Sequence, residues 1–114
     1  AGLGDIGMHF PDSDPRWRGA ASRVFVDACR GLLAGRGLAV FNADLTLICE
    51  APRLGVQRET IRREIAGMLA LPPDRVNVKA TTTERLGFTG RGEGLAAQAT
   101  VLCGALQATA PPAS

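Results

Sequence analysis

Histidine is nearly missing from this sequence: His9 is the only one, there is no tyrosine, and there is one tryptophan. One imidazole cannot build a zinc centre, which takes three or four ligands, so His9 reads as structural. Aromatic residues make up 4% of the chain against 46% hydrophobic, so a core of Leu, Val, Ile and Ala is expected. A net charge of +2 is too small to mark a nucleic-acid-binding surface. The three cysteines, Cys29, Cys49 and Cys103, are odd in number, widely spaced and free of any C-x-x-C pair. Each sits in an apolar run, which points to buried, reduced thiols in a cytoplasmic protein. No apolar run is long enough to span a membrane, and the start lacks the layout of a signal peptide. There are no internal repeats. The 114 residues support one domain. Ala1 is not Met, and AGLGDIG reads like the middle of a domain, so a chain truncated at its N-terminus is expected.

What is present centres on VNVKATTTERLGFTGRGEG, Val76 to Gly94. Val76 and Val78 alternate with Asn77 and Lys79 at the spacing of a half-buried strand. The strand breaks into Thr81, Thr82 and Thr83, then Glu84, then a glycine-punctuated run with Phe88 and Arg91. Hydroxyls and free N–H groups at a strand end are donors for phosphate oxygens, and a carboxylate beside them suits a hard divalent cation. An equally weighted reading is a Thr-rich turn capping a short helix, with Glu84 in its first turn.

The rest reads in order. AGLGDIGMHFPDSDP is a loop, with Asp5 a solvated turn residue and Pro11 and Pro15 flanking an Asp-Ser-Asp turn. Helical spacing from about Ala21 to Arg36 puts Val24, Phe25, Ala28, Leu32 and Leu33 on a buried face, with Arg18, Arg23, Arg30 and Arg36 solvated. Gly35 and Gly37 end it. LAVFNADLTLICE is a strand, bent at Asn42–Asp44 into two short ones. A turn at Ala51–Gly55 leads to a second helix, Gln57 to Leu71, with Ile61, Ile65, Met68 and Leu69 inward and Leu71-Pro72-Pro73 as its stop. Leu95 to Gln107 is a strand with Ala97, Ala99, Val101, Cys103 and Ala105 on one face; a helix is the second reading there. The pattern strand, helix, strand, helix, strand, strand gives a two-layer α/β domain over residues 1–108, with a small mixed sheet and helices on one face. Residues 109–114 are expected to be a disordered tail.

Three segments, Gly4–Arg23 (GDIGMHFPDSDPRWRGAASR), Asn42–Leu54 (NADLTLICEAPRL) and Val76–Gly94, resemble the 2-C-methyl-D-erythritol 2,4-cyclodiphosphate synthase family in the family's order. The resemblance implies a phosphorus-oxygen lyase of the non-mevalonate isoprenoid pathway. It would convert 4-diphosphocytidyl-2-C-methyl-D-erythritol 2-phosphate to the 2,4-cyclodiphosphate and release CMP. It implies a homotrimer with sheets turned inward, sites between subunits, and Arg91 and Glu93 forming an intersubunit ion pair near the axis. Thr82 and Glu84 would be the catalytic residues, with Glu84 holding Mg²⁺ or Mn²⁺ through the diphosphate. Substrate contacts fall to Asp5, Gly7, Phe10, Asp12, Cys49, Ala51, Pro52, Arg53, Leu54, Thr81, Thr82, Phe88 and Arg91. Asp5 and Gly7 would meet the methylerythritol hydroxyls, and Ala51 to Leu54 the cytidine. Arg53 stands where the family usually has lysine, and Gly55-Val56-Gln57-Arg58 replaces a Pro-His-Ile-Pro run. The family's Zn²⁺ ligands, an Asp-x-His pair and a further His, precede GDIG and have no counterpart in this sequence. The alternative is a non-catalytic module that binds cytidine nucleotides or diphosphates. A plain interaction domain draws support only from the altered Pro52–Arg58 loop.

Overall fold

The computed structural model describes residues 1–50 and 54–106, with Leu54 described by its backbone alone. The expectations for Ala51, Pro52, Arg53, the Leu54 side chain and the 109–114 tail lie outside the described residues. The chain divides into two compact units, one of residues 1–39 with 105–114 and one of residues 40–104.

In the first unit the opening segment is not a plain loop. Asp5 adopts an extended conformation and its carboxylate accepts from the Met8 N–H at 3.0 Å, capping a short helix α1, Ile6–His9. Asp5 is therefore an N-cap, the role for which aspartate is favoured. His9 Nε2 lies 2.7 Å from the Leu3 carbonyl, the structural role expected of it. The Asp-Ser-Asp turn closes through Asp14 N–H to Pro11 O at 3.0 Å, and Asp14 holds Arg16 at 2.7 Å.

Helix α2, Ser22–Gly35, sits where its spacing predicts. Its packing does not follow expectation, because no residue of α2 is buried and Val24 is 42% exposed. The small unit offers α2 one aromatic cluster rather than a full apolar layer. Phe10, Trp17 and Phe25 form that cluster: the Phe10 centroid lies 4.8 Å from Trp17 and 5.3 Å from Phe25, both edge-on. Edge-to-face pairs add about 0.5–1.5 kcal/mol beyond burial. The few aromatics are thus concentrated, and the expectation of an exclusively aliphatic core fails here. Cys29 is exposed, against the expectation that it is buried: it lies one turn beyond Phe25 on α2, a helix with no buried residue.

The second unit carries the sheet, ordered β2-β1-β3. Strand β1, Leu38–Ile48, runs unbroken through Asn42–Asp44, so the predicted bend is absent. It pairs in parallel with β2, Val76–Thr81, from Ala43↔Val76 to Ile48↔Thr81. Parallel neighbours need a crossover, and α3, Arg58–Leu69, supplies it. Strand β3, Ala96–Ala105, is a strand and not a helix. Leu106 N–H donates to Gly37 O at 2.7 Å and Gly104 lies against the Phe41 ring, so β3 meets β1 antiparallel and the sheet is mixed. There are three strands rather than four among the described residues, since the first element is α1.

The core lies between α3 and β2: Ala66, Val76 and Val78 are buried, with Leu45, Leu47, Ile61, Ile65 and Leu71 packed around them. The predicted face of α3 is correct, but its deepest residue is Ala66, whose small side chain lets the helix approach the strand. Helix α3 ends at Leu69, three residues before Pro72, with Ala70 as its C-cap in a left-handed conformation (φ 53°).

On the opposite face of β2, Lys79 Nζ and Asn77 Nδ2 both donate to the Asp44 carboxylate at 2.9 Å. The Lys79 hydrogen bond, then that of Asn77, holds the Asp44 carboxyl below its ordinary value. A depressed folded pKa stabilises the fold above the unfolded value and is lost as pH falls through the folded one. Asp44→Asn is expected to flatten the decline of melting temperature below about pH 4. A thermal melt series across acid pH checks this; parallel curves for both proteins would remove the Asp44 pair as a contributor.

Candidate functional site

Parallel strands end at one edge with their carbonyls and following loops, the usual place for ligands in an α/β sheet. Here β1 and β2 end together at Ile48 and Thr81, and Cys49 N–H donates to Thr81 O at 3.1 Å, extending the pairing one step. Beyond that edge lies a cavity of about 460 Å³. Cys49 and Glu50 form one wall, Ala80, Thr81 and Thr82 another, and Gly55 and Val56 of the 3-10 turn Leu54–Gln57 a third. That size suits a drug-sized or nucleotide-sized ligand.

The two hydroxyls are differently occupied. Thr81 Oγ1 donates to Thr82 O at 3.3 Å. Thr82 Oγ1 accepts from Glu84 N–H at 3.3 Å, which leaves its own hydrogen to donate outward. Glu84 is exposed at φ 55°, and among the described residues nothing pairs with its carboxylate. The helix-cap reading of this turn fails: α4, Gly87–Gly90, begins three residues later, with Leu86 as N-cap and no side-chain cap bond.

Of the residues predicted for the site, Cys49, Thr81 and Thr82 line this cavity together. Glu84, Phe88 and Arg91 stand outside its wall; Phe88 is 50% exposed on α4. Arg91 Nε pairs with Glu93 at 2.6 Å within one chain. Asp5, Gly7, Phe10 and Asp12 belong to the first unit, where Asp5 caps α1, Gly7 lies within it, Phe10 is buried in the aromatic cluster and Asp12 is exposed. Sequence reasoning passed over Glu50, which lines the cavity and whose Oε2 is buried without a hydrogen-bond partner among the described residues. The available signal was a carboxylate closing the apolar run LTLIC.

Residues 1–104 match the YgbB family. The chain belongs to the YgbB family. Within that family it is 58% identical over 106 residues to 2-C-methyl-D-erythritol 2,4-cyclodiphosphate synthase of Xanthomonas oryzae pv. oryzae, covering 93% of this chain and 65% of that protein. The chain thus spans just under two thirds of the length of such relatives. A solved 2C-methyl-D-erythritol-2,4-cyclodiphosphate synthase with CDP bound matches at TM-score 0.81 and 38% identity, over 90% of this chain and 66% of that one. The bifunctional IspDF of Campylobacter jejuni matches at TM-score 0.82 and 37% identity, over 90% and 28%. This YgbB-family chain has no helix among its described residues long and apolar enough to cross a membrane.

Proposed function

We propose that this YgbB-family chain carries the cyclisation of 4-diphosphocytidyl-2-C-methyl-D-erythritol 2-phosphate to the 2,4-cyclodiphosphate, with release of CMP. The observation that supports this best is the cavity uniting Cys49, Thr81 and Thr82 at the carboxyl ends of two parallel strands. In the reaction an oxygen of the 2-phosphate bonds to the β-phosphorus of the cytidine diphosphate arm. The bond between that β-phosphorus and the oxygen bridging to the α-phosphate breaks, and the oxygen keeps the electron pair and leaves as part of CMP. Such a transfer needs positioning and charge neutralisation more than covalent help. Thr82 donates its free hydroxyl hydrogen to a phosphate oxygen, and Thr81 fixes the adjoining backbone. The cavity wall holds the nucleotide end and limits water.

Among the described residues no three His, Cys, Asp or Glu side chains converge as a metal site. The residues present therefore do not fit a protein-held Zn²⁺, and no step is assigned to one. They do fit a Mg²⁺ or Mn²⁺ shared with the substrate, since such ions use one or two carboxylates plus phosphate oxygens. Glu84 would hold it, and the ion would neutralise charge on the diphosphate. A homotrimer is supported by apolar side chains left in solvent on the sheet, with Phe41 39%, Val101 49% and Leu102 56% exposed.

Release of CMP from the diphosphocytidyl substrate, followed chromatographically with Mg²⁺ or Mn²⁺, tests the activity. CDP binding without turnover would favour the non-catalytic nucleotide-binding module instead. Thr82→Val is expected to lower CDP affinity by about 1–2 kcal/mol, roughly 5–30-fold, for loss of one hydrogen bond to a charged group. An unaltered CDP titration would take Thr82 out of the site.

A further inference from the structure

The loop after β2 holds a turn that its sequence does not favour. Leu86 N–H donates to Thr83 O at 3.0 Å, closing a four-residue turn whose central residues are Glu84 at φ 55° and Arg85 at φ 67°. Positive φ at both central positions is the type I′ pattern, normally reserved for Asn-Gly because a Cβ is disfavoured there. Two consecutive left-handed residues with full side chains persist only where their surroundings hold them.

Those surroundings are visible. The Thr83 hydroxyl donates to Leu86 O at 2.5 Å, across the same turn. Its single hydrogen is then used, so the 2.9 Å contact between Thr83 Oγ1 and Thr89 Oγ1 has Thr89 as donor. Thr89, on α4, is 5% exposed. Gly90 lies directly under the turn: a Cβ there would come within 2.6 Å of Arg85 Cα, and Gly90 N–H donates to Leu86 O at 3.2 Å. Thr83 and Thr89 thus tie the turn from inside, and Gly90 leaves the room in which it sits. At the tip the Glu84 carboxylate faces solvent, and its own N–H is bound to Thr82 Oγ1.

The geometry points to Thr83, Thr89 and Gly90 as positioning residues that set the Glu84 carboxylate for a divalent cation carried by a diphosphate ligand. This rests on the cation role proposed for Glu84. The three residues touch neither ligand nor metal; they act through the backbone conformation of Glu84 and Arg85. A carboxylate preset in one orientation binds the cation without losing freedom on binding, whereas a relaxed turn would place it elsewhere.

The test uses the full chain, with CDP titrated calorimetrically in Mg²⁺ and in EDTA. The quantity read is the ratio of the two dissociation constants. Thr89→Val keeps the shape and removes the donor, and is expected to reduce that ratio about tenfold or more while changing the EDTA value less than about twofold. Thr89→Ser keeps the hydroxyl and should restore the ratio. Thr83→Val, at a half-buried position, is measured in parallel so that poor folding of one variant does not decide the outcome. A ratio retained in Thr89→Val and Thr83→Val, or an equal loss in EDTA, overturns the positioning role. Glu84→Gln separates the two ideas: if it leaves the ratio of the unaltered protein intact, the cation role of Glu84 itself is wrong.

Discussion

Glu84→Gln is expected to remove most of the Mg²⁺ enhancement of CDP binding, a loss of at least about tenfold, or 1.4 kcal/mol. The melting temperature should move by no more than about 2 °C, the scale of an exposed substitution away from packing. The asymmetry follows from the surroundings. The carboxylate has no protein partner among the described residues, so the fold does not rely on its charge. A hard cation bridging to phosphate oxygens does rely on it, because an amide oxygen is a neutral and weaker ligand. The backbone N–H bond to Thr82 Oγ1 is untouched by the change. Titrations of both proteins with CDP in Mg²⁺ and in EDTA make the comparison. Equal Mg²⁺ enhancement in the two would take the cation away from Glu84 and leave Thr81 and Thr82 as a metal-independent phosphate site.

The largest loss of stability is expected at a residue that carries no chemistry. Ala66 is 1% exposed where α3 meets Val76 and Val78. Ala66→Asp places a charge among the apolar side chains of Leu45, Leu47, Ile61 and Ile65. Burying an unpaired charge costs about 4 kcal/mol or more, a large part of a small domain's total stability. The melting temperature should fall by about 15 °C, or the cooperative transition should vanish. Ala66→Gly, which loses helix propensity without adding charge, should cost only about 1 kcal/mol. Circular-dichroism melts of the three proteins decide it. If the aspartate melted within a few degrees of the glycine, the contact between α3 and β2 would not be the core.

Both residues were differently visible in the sequence. Glu84 stood out because a carboxylate after three threonines is an unusual local composition. Ala66 did not, since alanine at a helical position is ordinary until a strand lies against it. The apolar spacing in α2 and α3 was equally clear, yet α3 is packed on β2 while the Val24 side of α2 remains exposed. Periodicity reports which face is apolar; burial needs an opposing surface. Phe10 was read as a substrate contact through resemblance, and the structure surrounds it with Trp17 and Phe25.

The sequence by itself determined where α2, α3, β1, β2 and β3 lie, that strands and helices alternate, and which family the chain joins. Those properties are local: side-chain period, glycine and proline breaks, and runs of residues in a characteristic order. Only the tertiary structure decided that β1 and β2 end side by side, so that Cys49 and Thr81, far apart in the chain, line one cavity. It also decided the left-handed turn at Glu84 and Arg85, for which neither residue has a preference. That conformation comes from Thr89 and Gly90 packing beneath it, and no local propensity carries such information.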